Sequence, residues 1–218
     1  AYNGGPAGLF QRAETSSFFG REIGLRYTHA HLRYCEALAR HGDADEFFAE
    51  LCRMNPIGMR DLVGTAAMRQ SNCYYSSSDA AFLDRYQGSA DYDGINNHEV
   101  MLEGGWRVYS SGAGIAARLI MQCFLGLRPE AHVLVIDPVI DPALGAPEVR
   151  VQLFGRPMVV SYRTQERGFG PLGIHLNGCD LPFTREANPY RTGGARIARY
   201  DIVPHIREGE NLLGIHLG

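Results

Sequence analysis

Residues 104–114 read Gly-Gly-Trp-Arg-Val-Tyr-Ser-Ser-Gly-Ala-Gly and run straight into an apolar stretch at 115–127, which closes on Gly126-Leu127-Arg128-Pro129. Before this stretch apolar residues recur at helical spacing; after Pro129 they recur at strand spacing. The helix is expected from about Gly114 to Leu127, with Pro129 as its stop. Glycine and hydroxyl residues opening a helical pattern leave backbone N–H groups unpaired at the positive end of the helix dipole, where an anion such as phosphate is favoured. The same residues also suit an ordinary capped start, with Ser110 or Ser111 as N-cap. Neither a P-loop with its lysine nor a Rossmann glycine triplet accompanies them, so spacing leaves both readings open.

Upstream, Thr28 is an N-cap candidate for a helix carrying Leu32, Cys35, Leu38 and Ala39 and stopping at His41-Gly42. Asp43 caps a second helix through Phe47, Phe48, Leu51 and Met54, ended by Asn55-Pro56, so two antiparallel helices joined by a short turn are expected. Residues 1–27 read as loop, with room for a short strand or turn. Residues 57–105 are broken by Ser76-Ser77-Ser78-Asp79, Gln87-Gly88-Ser89 and Gly94, a loop-rich length that is uncommon in a compact domain unless it is functional.

Downstream, five short runs rich in β-formers stand at 132–136, 149–154, 158–163, 173–176 and 212–217, separated by Pro, Gly, Asn and Asp. They predict an antiparallel sheet or sandwich. Helices followed by strands give an α+β class with a boundary near residue 130, dividing 1–129 from 130–218.

The chain of 218 residues carries a formal net charge of -3, and its positive charge is dispersed, so nucleic acid is not expected as a partner. Cys35, Cys52, Cys73, Cys123 and Cys179 are odd in number and lack CxxC or Cys/His ligand spacing, which favours buried thiols in a reducing compartment and no metal site. No signal peptide and no bilayer-length apolar run stand out, so no membrane partner is expected and a soluble, cytoplasmic protein is. The chain opens at Ala1 without Met, and a piece of a longer protein is expected.

Three polar clusters sit at loops or helix starts: Glu22 with Tyr27-Thr28-His29, Arg69-Gln70-Ser71-Asn72, and Tyr109-Ser110-Ser111-Gly112. Each has an ordinary alternative. A histidine such as His29 near a helix N-terminus is usually a surface residue or a satisfied cap neighbour, and His31 competes for its role; Gln70 and Asn72 read as turn formers, and Glu22 as a solvated partner of Arg21. Glycoside hydrolysis calls for two facing carboxylates, and serine catalysis for a GxSxG elbow that is absent here.

At Arg21-Glu22-Ile-Gly24-Leu-Arg-Tyr27-Thr28-His29-Ala30, at Gln70, at Gly104-Gly105-Trp106 through Gly112, and at Leu125-Gly126-Leu127 with Ile136-Asp137-Pro138, the chain resembles the glycoside phosphorylases of glycoside hydrolase family 94. The likeness covers roughly residues 20 to 165 and is nearest to the 1,2-β-oligoglucan phosphorylases. It implies the C-terminal part of an (α/α)6 barrel over 1–129 and a C-terminal β domain over 130–218, together the C-terminal portion of an inverting phosphorylase that yields α-glucose 1-phosphate. Position by position, His29, Ser111 and Gly112 look like phosphate-binding residues, and Gln70 and Glu22 like substrate-binding ones.

Phosphate is itself the nucleophile, so the resemblance implies no cofactor and one general acid. That acid lies upstream in the family, outside this chain, as does a phosphate-contacting arginine, so no catalytic residue is assigned here and the chain alone is expected to be inactive. Asp79, Asp84, Asp91 and Asp93 match no acid position, and Ile23 and Leu25 depart from the family's common Asn and Gly. Implied partners are a β-glucooligosaccharide, phosphate or α-glucose 1-phosphate, the upstream part of the enzyme, and a second copy in a homodimer. The alternatives are a non-catalytic carbohydrate-binding module and the phosphorylase-like segment of a cyclic β-1,2-glucan synthase.

Overall fold

The computed structural model describes residues 28–54, 64–65, 78–83, 85–91, 93–104 and 110–218. They divide into two compact units, one holding the described residues up to Tyr34 and from Glu50 to Ala116, the other Cys35–Ala49 and Ala117–Gly218. The expected loop at 1–27 lies outside the described residues.

Helix α1 spans Thr28–His41 and helix α2 Ala44–Arg53, matching the expected pair to within a residue at each end. Leu32, Cys35, Leu38 and Ala39 are buried, as their spacing requires, and the link between the helices is Gly42-Asp43. Gly42 is left-handed at φ +100, and the Gly42 amide donates to the Leu38 carbonyl at 2.8 Å, a helix end that glycine accommodates without strain. His31 near the start of α1 reaches Glu50 near the end of α2 at 2.7 Å, the pairing expected of antiparallel neighbours.

The loop-rich region contains short pieces: β1 (Ser78–Ala80), α3 (Arg85–Ala90), α4 (Asp93–Asn96) and β2 (Leu102–Gly104). Strands β1 and β2 pair antiparallel, with Asp79 opposite Glu103. Helix α5 covers Ser110–Arg118, beginning four residues before the expected Gly114, and continues as a π-helical segment, Leu119–Phe124. The Leu125 amide closes that segment on the Ile120 carbonyl at 2.8 Å. Gly126, at φ +65, then turns the chain into β3 (Leu127–Pro129).

The remaining strands are β4 (Val133–Ile136), β5 (Glu148–Leu153), β6 (Arg156–Arg163), β7 (Pro171–Leu176), β8 (Cys179–Asp180), β9 (Thr184–Arg185), β10 (Ala195–Ala198) and β11 (Asn211–Leu217), with a short helix α6 (Arg199–Ile202) after β10. They form a four-stranded sheet in the order β3-β4-β10-β9 and a five-stranded sheet in the order β5-β6-β11-β7-β8. Leu127, Leu134, Ile136 and Ile197 from the first share one core with Val160, Tyr162, Ile174, Leu176, Leu213 and Ile215 from the second. Two sheets closed over one apolar layer make the sandwich-like arrangement the alternating strands predict. The all-antiparallel expectation needs one correction: β11 runs parallel to β6, with Asn211 opposite Met158 and His216 opposite Arg163.

Two polar groups inside this core are fully satisfied. The Tyr162 hydroxyl, on a side chain almost wholly buried, donates to the Leu125 carbonyl at 2.6 Å. Asn211, wholly buried, accepts from the Arg207 amide at 2.7 Å and from Asn177 Nδ2 at 2.8 Å, and donates to the Gly209 carbonyl at 2.9 Å. Such bonding removes the desolvation cost a buried polar group otherwise carries.

Candidate functional site

The site residues named from sequence fall into two sets. Glu22 and Gln70 lie outside the described residues. His29 is the second residue of α1 and is half-buried, while Ser111 and Gly112 are the second and third residues of α5, with Gly112 buried. All three belong to the same compact unit.

Neither helix carries an acidic residue in its first turn, whereas α1 ends in Arg40 and His41 and α5 in Arg118. Neither first turn places a carboxylate of its own at the positive end of the helix dipole, where an acidic side chain would compete with an anion. Ser110 begins the helix rather than standing before it as its cap.

The surroundings of His31 give it a structural role. His31 Nε2 lies 2.7 Å from Glu50 Oε2 and 3.2 Å from the Glu50 carbonyl, and Glu50 also holds Arg53. A ring turned onto a buried carboxylate is spoken for structurally, and that carboxylate would repel a dianion.

Sequence reading missed a second polar feature, a cleft of about 350 Å³ in the other unit, between α1, the π-helical segment and the chain at 186–191. Arg191 clamps Asp137 with two bonds, 2.7 and 3.0 Å, and donates to the Ala39 carbonyl at 3.1 Å. Arg128 clamps Glu186 at 2.5 and 2.7 Å, and Arg196 bridges Glu186 at 3.3 Å and Glu130 at 3.0 Å. Arg118 meets Glu36 at 2.9 Å. Burial works against the Arg128 charge, but its hydrogen bond and Coulombic attraction to Glu186 outweigh that and raise its pKa. These arginines and carboxylates are satisfied by one another, so the cleft reads as a lock holding 186–191 in place. Nothing in the local sequence advertises it, because the partners lie far apart along the chain.

Among the described residues no group of three or more His, Cys, Asp or Glu side chains stands together to hold a metal ion, and none of their helices is long and apolar enough to cross a membrane. No disulfide joins Cys35, Cys52, Cys123 and Cys179, but the expectation of buried thiols needs correction: Cys35 alone of the four is fully buried, and Cys52 and Cys179 are exposed. Cys52 ends up outside because it sits on the solvent face of α2, and Cys179 because it lies on the edge strand β8.

Cys123 faces the charged cleft, and burial pushes its thiol up to about 11. A thiol with a raised pKa is protonated at neutral pH and weakly nucleophilic. Iodoacetamide at about pH 8 should therefore label Cys52 and Cys179 well before Cys123 in the folded protein, with Cys123 catching up only toward its own pKa. Peptide mapping of the alkylated protein checks this; equal labelling of Cys123 would contradict it.

Residues 126–216 match the family described as glycoside phosphorylase C-terminal domain. They are a glycoside phosphorylase C-terminal domain. The chain is also 42% identical over 192 residues, 88% of its length, to 1,2-beta-oligoglucan phosphorylase from Listeria innocua serovar 6a, and it spans 17% of that relative's length. The resemblance to glycoside phosphorylases, in their C-terminal portion, thus holds both across the glycoside phosphorylase β region and across most of the helical residues before it.

Proposed function

We propose that this chain is the C-terminal portion of an inverting glycoside phosphorylase acting on β-1,2-linked glucooligosaccharides. The observation that carries the reading is the 42% identity to a 1,2-beta-oligoglucan phosphorylase along 88% of the chain. In this reading α1, α2 and α5 belong to the last part of an (α/α)6 barrel, and the two sheets make up the domain that follows it.

The chemistry divides between what this chain holds and what it does not. Phosphate attacks the anomeric carbon from one face while a carboxylic acid, supplied upstream, protonates the leaving oxygen on the other; the C–O bond breaks and the new C–O–P link forms with inversion. Because phosphate is already anionic, no base is needed to activate it. The binding groups must be neutral or cationic donors close to an oxocarbenium-like centre. His29, the Ser111 hydroxyl and the amides at the start of α5 meet that requirement, with Gln70 and Glu22 reading as contacts to the sugar. The absence of acidic residues from both first turns supports the assignment.

Orthophosphate titration followed by 31P line broadening tests the phosphate half of this reading. His29→Ala should weaken binding at least about tenfold, since a charge-assisted hydrogen bond is worth about 1.5–3 kcal/mol, while His31→Ala should act on stability instead. Phosphate binding untouched by His29→Ala would remove His29 from the site.

A further inference from the structure

The five-stranded sheet turns alternate residues outward, and on that outer face it brings together two histidines that are far apart in sequence. His175 stands on β7 and His216 on β11; the register sets His175 opposite Gly214 and His216 opposite Gly173, so the imidazoles form a diagonal pair with a glycine facing each. Their ring centres are 5.1 Å apart at an interplanar angle of 64°. Asp180, directly across from His175 on β8, brings Oδ1 to 2.5 Å from His175 Nδ1.

That carboxylate fixes the tautomer. A proton on Nδ1 shared with Asp180 leaves Nε2 with its lone pair. His175 Nε2 lies 3.5 Å from where a Cβ on Gly173 would stand, so the ring leans over the glycine that faces His216. Neither Nε2 of His175 nor the ring of His216 has a hydrogen-bond partner among the described residues.

We propose that His175 and His216 form a two-imidazole site for a divalent transition-metal ion, with Asp180 orienting His175. An ion about 2.1 Å from one nitrogen of each ring, at an ordinary ligand angle, places the two ring centres about 5 Å apart. The carboxylate–histidine–metal relay is the usual way a protein orients such a ligand and raises its basicity. His175 is about one-third exposed, so water fills the remaining positions, as suits a peripheral site. Arg163, opposite His216 on β6, adds a cation nearby that limits affinity. Sequence spacing gives no hint of the site, because only the β7–β11 pairing makes the two histidines neighbours.

The test is calorimetric titration of the whole chain with NiCl2 at about pH 7.5, where unprotonated imidazoles bind. One saturable equivalent is expected, abolished by His175→Ala and by His216→Ala and weakened about tenfold by Asp180→Asn. His132→Ala should leave it intact, and His216→Gln, which keeps polarity and bulk, covers the case in which the alanine variant folds poorly. No saturable equivalent, or one that survives both His175→Ala and His216→Ala, would overturn the site and leave the two rings as a packing contact.

Discussion

Replacing Arg191 by alanine is expected to destabilise the unit holding the sandwich by about 3–5 kcal/mol, the cost of breaking a buried ion pair from one side. The guanidinium side chain is only 4% exposed and holds Asp137 in two bonds. It also donates to the carbonyls of Ala39 and Thr192 and lies over the Phe169 ring at 5.4 Å. Truncation therefore strands the Asp137 carboxylate, leaves two carbonyls without this donor and opens a void beside Phe169. An exposed pair such as Arg150 with Glu210, at 3.8 Å, should by contrast contribute well under about 1 kcal/mol. Guanidinium chloride unfolding of Arg191→Ala beside Arg150→Ala separates the two cases. A loss for Arg191→Ala no larger than that for Arg150→Ala would mean the clamp is not formed in solution.

The second large effect is expected at Gly126. Its φ is +65, and a Cβ built there would lie 2.0 Å from the Pro138 nitrogen and 2.4 Å from the Asp137 carbonyl carbon. Both are backbone atoms, and the Asp137 amide is itself bonded to the Gly126 carbonyl at 2.9 Å, so neither segment can step aside cheaply. Gly155, in the turn between β5 and β6, is the natural control: its φ is +72, yet a Cβ there meets nothing within 4 Å. Gly155→Ala should cost only the positive-φ strain, about 1–2 kcal/mol. Gly126→Ala adds a backbone clash and should cost about 3 kcal/mol or more. Similar losses at the two positions would show that the close approach of 126 to 137–138 does not constrain the fold.

The parts of this architecture legible in the sequence were those written in local pattern. The α1 boundaries came from Thr28 and His41-Gly42, and the longer strands from runs such as Met-Val-Val-Ser-Tyr-Arg. Strand β10 was not legible, because Ala-Arg-Ile-Ala has too little β-branched or aromatic character to stand out and becomes a strand by pairing with β4 and β9. The parallel seam between β6 and β11 escaped for another reason: pairing direction depends on chain return through residues 164–210, which no local period encodes. The early start of α5 traces to Ser110, Ser111 and Gly112, weak helix formers that read as a cap but lie within the first turn.

The candidate site divides the same way. His29 and Ser111-Gly112 are named through the resemblance to family 94 phosphorylases, and the helix-start pattern alone points only to a general anion site at 110–114. The Arg191–Asp137 and Arg128–Glu186 clamps could not be named, since each joins segments more than fifty residues apart. Helix starts, in short, carry their chemistry in adjacent residues, whereas ion-pair locks carry it in the fold.

The central claim is that this chain supplies the phosphate side of a phosphorylase whose general acid lies upstream. The most direct test is phosphate release from α-glucose 1-phosphate with sophorose as acceptor, run on the chain alone and on the chain joined to the upstream part of its own protein. The account predicts no release from the chain alone, and release from the joined protein that His29→Ala sharply reduces. Release by the chain alone would put the acid within these residues, and absence of release from the joined protein would contradict the assignment to β-1,2-glucan phosphorolysis.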